Sequence, residues 1–450
     1  MKKRKIIFLI SISCLIFFTI SFKNFRFDKC RRPSLYNSQP KIQSSNERLP
    51  FHIKRQQYSS NHILVKFNPH LSDETIQATI AAYQAKKTKR IPRLNIFKIE
   101  VPEAMTVEEI LYAMSVNPNV VYAEPDYIAY IAITPNDILF KYQYSLYNSG
   151  ESIDIPGSPR GKARADIKAT EGWEETRGEE NVIIAIIDTG VDLEHPDLES
   201  KIYSSGYDFA NDDDDATDDN GHGTQVAGIA AAETNNTEGI AGVAWNCKIL
   251  PLKAMDENGE GYYDWIIQAI IWAVENGADV INLSAGGEEE SIALEEAVRY
   301  AFQKDVVVVC AGGNDTGPVL YPAAYDDYCM AVAATDYNDN RTSWSNFGPE
   351  IDVAAPGEWI ISCVPTWFWV PDSPFPYDYG SGTSMSTPHV SGLAALLKSL
   401  KPWLTNSEIM SIIKYTADDV NSNEHPGLDD FIGYGRINME KALVPIKITG

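Results

Sequence analysis

Three residues in this 450-residue chain have the types that acyl transfer to a hydroxyl requires, namely Asp188, His222 and Ser384. A serine hydroxyl is a weak nucleophile until an imidazole removes its proton, and a carboxylate can hold that imidazole in the required tautomer. Each residue alone also has an ordinary structural explanation, as a strand-end cap, a surface histidine or a helix cap. Their order and flanking sequences favour a joint role, with Ser384 as nucleophile, His222 as general base and then general acid, and Asp188 as its orienting partner.

The segments around these residues predict how they are positioned. Asp188 ends an unbroken apolar run that starts at Val182, which predicts a buried parallel strand. The carboxyl end of such a strand is where open α/β sheets bind ligands. His222 stands between two glycines and enters a helix of small residues. Ser384 begins a second helix of this kind, and the unpaired N–H groups and dipole at a helix N terminus favour developing negative charge.

With these segments the chain resembles the subtilisin-like serine proteases, the subtilase family. The similarity extends over roughly residues 134–443 and is carried by the stretches 182–190, 220–228 and 382–389. The order acid, base, nucleophile is that of subtilisin. The resemblance implies a serine endopeptidase that cleaves protein or peptide substrates through an acyl-enzyme. It also implies an α/β fold of the subtilisin-like three-layer type, with a mostly parallel central sheet.

Asn314 is a candidate fourth member of the site. It follows a predicted strand over residues 306–311, after Gly312 and Gly313. By the resemblance, its side-chain N–H donates to the oxyanion together with the backbone N–H of Ser384. The two glycines allow the backbone to approach a substrate closely. The alternative is that Asn314 only terminates the strand.

One wall of a substrate cleft is also predicted. A strand pattern at 280–283 leads into Ser284, Ala285 and Gly286, which resemble a wall of the family's primary specificity pocket. Leu320 is expected near the pocket floor, where it would limit the depth. Leucine is usual in the family where Ala285 stands, so this wall is expected to be looser. An extended substrate would pair with this edge through main-chain hydrogen bonds, and cleavage after medium-sized apolar residues is expected.

The N-terminal segment predicts entry into a secretory route. A cluster of basic residues precedes an apolar run over residues 6–22, so residues 1–22 form a signal peptide or a membrane anchor. The run of 17 residues is marginal for spanning a bilayer, which takes about 20 residues, and no small-residue cleavage site follows it. A secreted enzyme and one anchored through residues 6–22 both stay open. Residues 23–60 are polar, basic and proline-containing, which indicates a linker.

Residues 61–133 predict a compact α+β domain, because strand and helix patterns alternate along them. Its place before the protease segments resembles that of the family's inhibitory propeptide, which assists folding and is ferredoxin-like; a separate binding domain is the alternative. Self-cleavage is expected between Tyr127 and Thr134, which leaves residues 134–450 as the subtilisin-like protease domain. The predicted elements are strands at 63–67, 94–101 and 120–127, a helix from its cap Ser72 through Tyr83, and a helix opened by a capping box at Thr106 and Glu109.

Charge is distributed very unevenly along the chain. Residues 1–60 carry a net charge of +11, residues 61–133 carry −1, and residues 134–450 carry −34. A catalytic region this acidic argues against nucleic acid as a partner, because phosphate backbones are bound by basic surfaces. It suits a soluble enzyme that acts outside the cytoplasm and holds cations.

A candidate cation site lies in the loop over residues 230–240, which resembles the calcium-binding loop of the thermitase-type subtilases. The resemblance implies calcium, a hard cation that takes oxygen ligands, although Glu238 stands where a threonine ligand is usual. The acid run 212–219 is interpreted first as a solvated loop, with a second, weaker ion or attraction of basic substrate residues as alternatives. The expected ligands are Asp137, Asp197, the Asn236 amide and the carbonyls of Glu233 and Ile240.

The six cysteines are too dispersed to indicate a disulfide framework. Cys310 and Cys329 fall on predicted neighbouring strands, which leaves a bond between them open, but buried thiols are favoured. His389 lies five residues after Ser384 and is given a structural role from the family context. The chain has no HExxH or paired CxxC motif, which excludes the usual zinc enzymes.

Residues 364–376 depart from the family's spacing just before the nucleophile, with an aromatic and proline-rich sequence. Two interpretations are open. The segment overhangs the cleft and touches substrate, or its rings pack against the domain surface.

The favoured prediction is a secreted or surface-anchored serine endopeptidase that is made as a self-processing zymogen, with its own propeptide as intramolecular inhibitor. A catalytically silent scaffold is disfavoured because all four candidate catalytic residues are present. A kexin-like processing protease is disfavoured because the sequence continues only briefly beyond residue 438, without room for the additional C-terminal domain of such enzymes.

Overall fold

The structure, a computed structural model, describes residues 58–127, 133–150, 161–368 and 376–444, apart from the side chain of Thr88. The predicted signal or anchor segment, nearly all of the predicted linker, and most of the expected self-cleavage region lie outside the described residues. The same holds for residues 369–375 of the aromatic segment.

The N-terminal part folds as a four-stranded antiparallel sheet with two helices. The strand order β2-β3-β1-β4 along a βαββαβ chain is the ferredoxin-like arrangement, which confirms that prediction. Alternate residues of the first strand, Ile63, Val65 and Phe67, are fully buried against the helices. The elements are β1 (Tyr58–Phe67), α1 (Asp73–Ala82), β2 (Lys86–Ile91), β3 (Ile96–Glu100), α2 (Val107–Ser115) and β4 (Val120–Tyr127).

Local signals placed both helices of this part correctly. Ser72 caps α1, and Thr106 with Glu109 forms the predicted capping box of α2. The sequence analysis missed β2, whose sequence Lys-Lys-Thr-Lys-Arg-Ile has no apolar alternation. This strand lies at the edge of the sheet, where charged side chains are tolerated and discourage pairing with other chains.

The larger part contains a seven-stranded sheet of order β11-β10-β9-β8-β5-β7-β6, in which every pairing is parallel. The predicted parallel character is therefore confirmed. A separate antiparallel hairpin, β12–β13, leads into the helix that carries Ser384. The strands are β5 (Ile183–Asp188), β6 (Tyr207–Asp208), β7 (Lys248–Lys253), β8 (Val280–Leu283), β9 (Val307–Ala311), β10 (Met330–Thr335), β11 (Ile351–Pro356), β12 (Ile360–Cys363) and β13 (Tyr377–Gly380).

Helices cover both faces of this sheet. They are α3 (Ala169–Gly172), α4 (His222–Ala231), α5 (Tyr263–Glu275), α6 (Ile292–Gln303), α7 (Thr383–Leu400), α8 (Asn406–Thr416) and α9 (Met439–Leu443). None of the helices in the described ranges is long and apolar enough to cross a membrane.

The alternation along β5 explains the three layers. Ile184 and Ile186 point into the core shared with α4 and α7, whereas Ile183 and Ile187 point into the core shared with α5 and α6. A strand buried on both faces has no polar alternation, which is why its sequence is a continuous apolar run. The four cysteines in the described ranges, Cys247, Cys310, Cys329 and Cys363, are buried free thiols, and no disulfide joins Cys310 to Cys329.

Parallel strands bring candidate site residues to one edge of the sheet. Asp188 ends β5, Ser284 follows β8, and Asn314 follows β9, and these three strands are neighbours in the order β9-β8-β5. The helix α7 packs beneath their ends and against α4. Residues more than a hundred positions apart in sequence are thereby gathered at the carboxyl edge of one sheet.

Candidate active site

The contact between Asp188 and His222 is the centre of this site. The Asp188 side chain is 1% exposed, and its Oδ1 lies 2.7 Å from His222 Nδ1. The same oxygen accepts the backbone N–H of Thr189 at 2.8 Å. Its Oδ2 is buried and has no hydrogen-bond partner among the described residues. The negative charge therefore remains largely unshared by protein donors and faces the imidazole.

A second carboxylate, Asp218, holds the start of α4 in place. One of its oxygens accepts Thr189 Oγ1 and the backbone N–H of Gly221, both at 2.8 Å. The other accepts Thr224 Oγ1 at 2.6 Å and the Thr224 N–H at 3.0 Å. Asp218 thus joins the end of β5 to both sides of His222 in the chain. The sequence analysis missed this role because Asp218 lies within a run of acids.

The acid run is otherwise a solvated loop. Asp212 to Asp215 are exposed, whereas Asp218 is 1% exposed. Burial raises the pKa of Asp218, and its hydrogen bonds from Thr224 and the backbone act in the opposite direction. The distinguishing signal was its position three residues before Gly221, the N-cap of α4.

Charge around His222 favours protonation of its imidazole. Burial lowers the pKa of His222, but the charge of Asp188, the hydrogen bond to it and the charge of Asp218 together raise that pKa above its ordinary value. One third of the side chain is exposed, so the ring can still reach a substrate. A base with a raised pKa accepts a proton more readily from a nearby hydroxyl.

Ser384 lies in the first turn of α7, where the sequence placed it, and is 8% exposed. No hydrogen bond joins its Oγ to His222 in the described part of the chain, although α4 and α7 pack together. Such bonds are often long in free enzymes and shorten when substrate binds. Pro388 lies inside α7 and has no N–H, so the Ser384 carbonyl lacks its usual helical donor. Ser284 Oγ donates to that carbonyl at 3.0 Å instead.

The space beside Gly382 is bounded by hydrogen-bond donors. A methyl group added at this residue would sit 2.8 Å from Ser384 Oγ, 3.5 Å from Asn314 Nδ2 and 3.7 Å from the Ser384 backbone nitrogen. The Asn314 carbonyl oxygen accepts the N–H and Oγ1 of Thr383 at 2.9 and 3.0 Å, which fixes its amide with Nδ2 toward this space. Two N–H donors beside a hydroxyl can stabilise an oxyanion.

The predicted substrate wall and Leu320 come together in the structure. A side chain at Gly286 would meet the Leu320 Cβ at 3.1 Å, and one at Gly313 would meet Leu320 Cγ at 2.8 Å. The next residue, Gly287, pairs with Tyr321 through two main-chain hydrogen bonds of 2.9 Å. Ala285 is partly exposed beside Ser284. Leu320 therefore lies against both the segment after Ser284 and the residue before Asn314.

The predicted calcium ligands also lie close to one another. Asp137 and Asp197 are 5% and 0% exposed, and burial raises the pKa of both carboxyls; the negative charge of Asp197 raises the pKa of Asp137 further. Asp197 accepts Asn236 Nδ2 at 2.8 Å, the Ile240 N–H at 2.9 Å and the Tyr377 phenol at 2.9 Å. Tyr377 was not among the sequence candidates.

The remaining contacts of this loop determine which atoms can serve a cation. Both oxygens of Asp137 lie within 3.0 Å of the Asn235 nitrogen. The Glu233 side chain turns away to Ser200, so only its carbonyl is a candidate ligand. Within the described ranges no three His, Cys, Asp or Glu side chains form a metal cluster. The donor set is two carboxylates, an amide and carbonyls, all of them oxygens that suit calcium.

His389 contacts the backbone of its own helix. It is fully buried in α7, and its Nδ1 lies 2.8 Å from the Met385 carbonyl. Burial lowers its pKa to about 4, so it is neutral at physiological pH. Its Nε2 has no partner among the described residues.

Comparison with known protein families matches two parts of the chain. Residues 179–435 match the model of the Subtilase family, and residues 51–126 match the model of the Fervidolysin N-terminal prodomain. The first range contains Asp188, His222 and Ser384.

Individual relatives extend over most of the chain. The thermophilic serine proteinase of Bacillus sp. (strain AK1) is 40% identical over 388 residues, which are 86% of this chain and 88% of the relative. Thermitase of Thermoactinomyces vulgaris is 43% identical over 279 residues, 62% of this chain and 93% of the relative. The solved structure of fervidolysin from Fervidobacterium pennivorans, described as a keratinolytic enzyme related to subtilisin, has a TM-score of 0.57 and 30% identity. It covers 87% of this chain and 62% of that chain.

Close packing at Gly223 yields a test of the His222 position. A side chain there would overlap the Gly190 carbonyl oxygen and come within 3.1 Å of Asp188 Cβ. We expect Gly223→Ala to push α4 away from β5, to break the Asp188–His222 hydrogen bond, and to cost roughly 1–3 kcal/mol of stability. The downfield Nδ1 proton resonance of His222 and thermal unfolding would be measured.

The matched control for this test is Gly317→Ala, because a side chain at Gly317 would come no nearer than 3.9 Å to another residue. It should retain the proton resonance. Retention of that resonance with unchanged stability in Gly223→Ala would contradict the close approach of α4 to β5.

Proposed function

Since the chain belongs to the subtilase family of serine endopeptidases, we propose that it is made as a self-processing zymogen and hydrolyses peptide bonds through Asp188, His222 and Ser384. The predictions of a subtilisin-like serine endopeptidase and of an N-terminal propeptide are confirmed by the family matches and relatives. The observation that carries the proposed catalytic roles is the 2.7 Å hydrogen bond between His222 and a buried Asp188, at the sheet edge that also holds Ser384.

The first half of the proposed reaction forms an acyl-enzyme. Ser384 Oγ attacks the substrate carbonyl carbon while His222 Nε2 takes the hydroxyl proton, and the buried Asp188 carboxylate stabilises the resulting imidazolium. The negative charge moves to the former carbonyl oxygen, where Asn314 Nδ2 and the Ser384 N–H donate to it. His222 then gives its proton to the leaving amine as the C–N bond breaks.

The second half releases the acyl group. A water molecule loses a proton to His222 Nε2 and attacks the ester carbonyl, and the same two donors stabilise the oxyanion. Return of that proton to Ser384 Oγ restores the free enzyme. Ser284, Ala285, Gly286 and Leu320 would contact the side chain on the acyl side of the cleaved bond, with medium-sized apolar groups favoured.

The proposed domain organisation is the one predicted from the sequence. Residues 61–133, together with the strand residues from Tyr58, would form the inhibitory propeptide, and residues 134–450 the mature protease, with self-cleavage between Tyr127 and Thr134. Residues 1–22 would direct export as a signal peptide or remain as an anchor. The propeptide would act as intramolecular inhibitor until it is cleaved and released.

We further propose a structural calcium ion held by Asp137, Asp197, Asn236 and the carbonyls of Glu233 and Ile240. Burial of two repelling carboxylates is costly unless a cation balances them, which supports this assignment. The ion would neutralise their charge and fix the loop that follows α4. It would have no part in bond cleavage.

Replacement of the nucleophile tests both catalysis and self-processing. We expect Ser384→Ala to remain full length and unlabelled by a serine-directed fluorophosphonate, because neither acyl-enzyme nor phosphonate ester can form without the hydroxyl. Turnover should fall by about 10⁶-fold, as in subtilisin itself. Intact mass and labelling of the wild type and variant would be compared.

Ser399→Ala, at the far end of the same helix, is the control and should be processed and labelled like the wild type. Equal labelling of Ser384→Ala and the wild type would contradict the role of Ser384.

The raised pKa of His222 fixes the direction of the pH dependence. Because a general base acts only when unprotonated, kcat/KM for an uncharged peptide should fall as the pH drops through a midpoint above the ordinary histidine value of about 6.5. Loss of the Asp218 charge in Asp218→Asn should lower that midpoint. The exposed Asp214→Asn in the same loop is the control and should leave it in place; a wild-type midpoint below 6.5 would refute the electrostatic argument.

Chelation tests the proposed calcium ion in the Ser384→Ala chain, which cannot digest itself. An ion present at a hundred times its Kd stabilises a protein by about 2.7 kcal/mol, so a chelator should lower the Tm by several degrees. Asp137→Asn should be less stable beforehand and respond less to chelator. The exposed Asp214→Asn should respond like the parent, and a Tm insensitive to chelator in the parent would exclude the ion.

A further inference from the structure

The start of the aromatic segment forms a fixed feature beside His222. Val364 N–H donates to the Pro376 carbonyl at 2.9 Å, which closes the base of the loop between β12 and β13. Thr366 then donates from its N–H and its Oγ1 to one oxygen of Asp192, at 2.7 and 2.8 Å. Asp192 is 5% exposed, so these two bonds are well shielded from water. They set the chain direction for the two residues that follow.

Trp367 and Phe368 form an exposed aromatic pair at this point. The Trp367 indole donates from Nε1 to the Asp218 carbonyl at 3.1 Å, which fixes one edge of the ring. The two rings meet edge to face with 6.1 Å between their centroids. Despite these contacts, Trp367 is 53% and Phe368 42% exposed. Rings that only packed against the domain would be covered further, because exposing apolar area costs free energy.

The aromatic pair lies next to the loop that precedes His222. Asp218 organises the start of α4, and a side chain at Gly221 would meet Pro365 Cδ at 3.4 Å. Pro365 therefore lies against Gly221, the residue before His222, and Trp367 is two positions after Pro365 in the chain. His222 is the group that gives its proton to the leaving amine in the proposed reaction.

The two sides of the nucleophile are lined by different elements. The exits of β8 and β9, with Ser284 and Asn314, hold the acyl side. The β12–β13 hairpin packs on α4 instead, since Ser362 Oγ donates to the Gln225 carbonyl at 2.6 Å. A side chain at Gly380, in that hairpin, would lie 3.0 Å from both Gln225 Oε1 and Met385 Sδ. In the proposed reaction, the half of the substrate that departs with the amine would therefore face the hairpin.

From this placement we propose that Trp367 and Phe368 bind the leaving-group side of the substrate and select peptides with aromatic or large aliphatic residues there. The inference rests on the proposed catalytic function and adds a specificity element to it. The occupant is an extended peptide, because Trp367 is held to the Asp218 carbonyl and Pro365 lies against the residue before His222. The hydrogen bond of Trp367 Nε1 and the two hydrogen bonds from Thr366 to Asp192 hold the rings in place before substrate arrives. This limits the entropy lost on binding.

The test uses fluorogenic peptides that share one acyl-side sequence and differ in the two residues after the cleaved bond. One peptide carries Phe-Leu and the other Ser-Gly at these positions. The wild type should cleave the Phe-Leu peptide with a kcat/KM about tenfold higher, because covering one apolar side chain supplies roughly that factor. In the Trp367→Ala/Phe368→Ala chain the ratio should fall to about 1–2.

Ratios within one protein cancel differences in the amount of active enzyme. The control is Trp403→Ala, which removes a 75% exposed tryptophan from the connection between α7 and α8 and should keep the wild-type ratio. Trp367→Phe keeps a ring but loses the Nε1 bond to Asp218, and should give an intermediate ratio. If the double variant fails to fold, the sites at which the wild type cleaves a denatured protein would be mapped instead. Apolar residues are expected to be enriched after the cleaved bond.

Three results would overturn the inference. The first is a wild-type kcat/KM ratio near 1 for the two peptides, and the second is an unchanged ratio in the double variant. The third is a double variant that differs from the wild type only in oligomeric state, which would mean that the rings contact a second copy of the chain. A wild type that cleaves neither peptide and resists the fluorophosphonate would instead refute the proposed function itself. The two failures are therefore distinguishable.

Discussion

Asp188 is a carboxylate excluded from water at the end of a strand that is buried on both faces. Among the described residues, His222 is the side chain that hydrogen-bonds to it. Removing a charge from water is costly unless an opposite or polarisable group compensates it. The imidazole provides that compensation most fully when it is protonated, which occurs during proton transfer. The arrangement of α4, β5 and Asp218 is what keeps these two groups 2.7 Å apart.

Glycines, which have no side chains, allow α4 to come this close to the end of β5. Gly223 lies against the Gly190 carbonyl, and Gly221 adopts a φ of +114°, a conformation that favours glycine, at the first turn of α4. Asp218 then uses both its oxygens to tie the loop, the helix and the strand end together. The approach of His222 to Asp188 therefore depends on backbone packing as much as on the two side chains themselves.

The sequence predicted the elements whose signals are local. The apolar run before Asp188, the capping box at Thr106 and the helix after Ser384 each depend on a few adjacent residues, and each was identified. The charged strand β2 was missed because an edge strand need not alternate. Asp218 and Tyr377 were missed because their partners are distant in sequence or lie within a uniform acidic run, so only the folded chain distinguishes them from their neighbours. The proposed catalytic and calcium-binding roles came from resemblance, and the structure adds the distances between their atoms.

The proline inside α7 has a consequence for engineering this enzyme. Because Pro388 leaves the Ser384 carbonyl without a helical donor, the hydroxyl of Ser284, in the proposed substrate wall, supplies the missing hydrogen bond. A residue of the proposed substrate wall is thus hydrogen-bonded to the backbone of the proposed nucleophile. Efforts to retune cleavage preference at position 284 would alter turnover as well, so selectivity is more independently adjustable at Leu320, whose packing partners belong to loops outside α7.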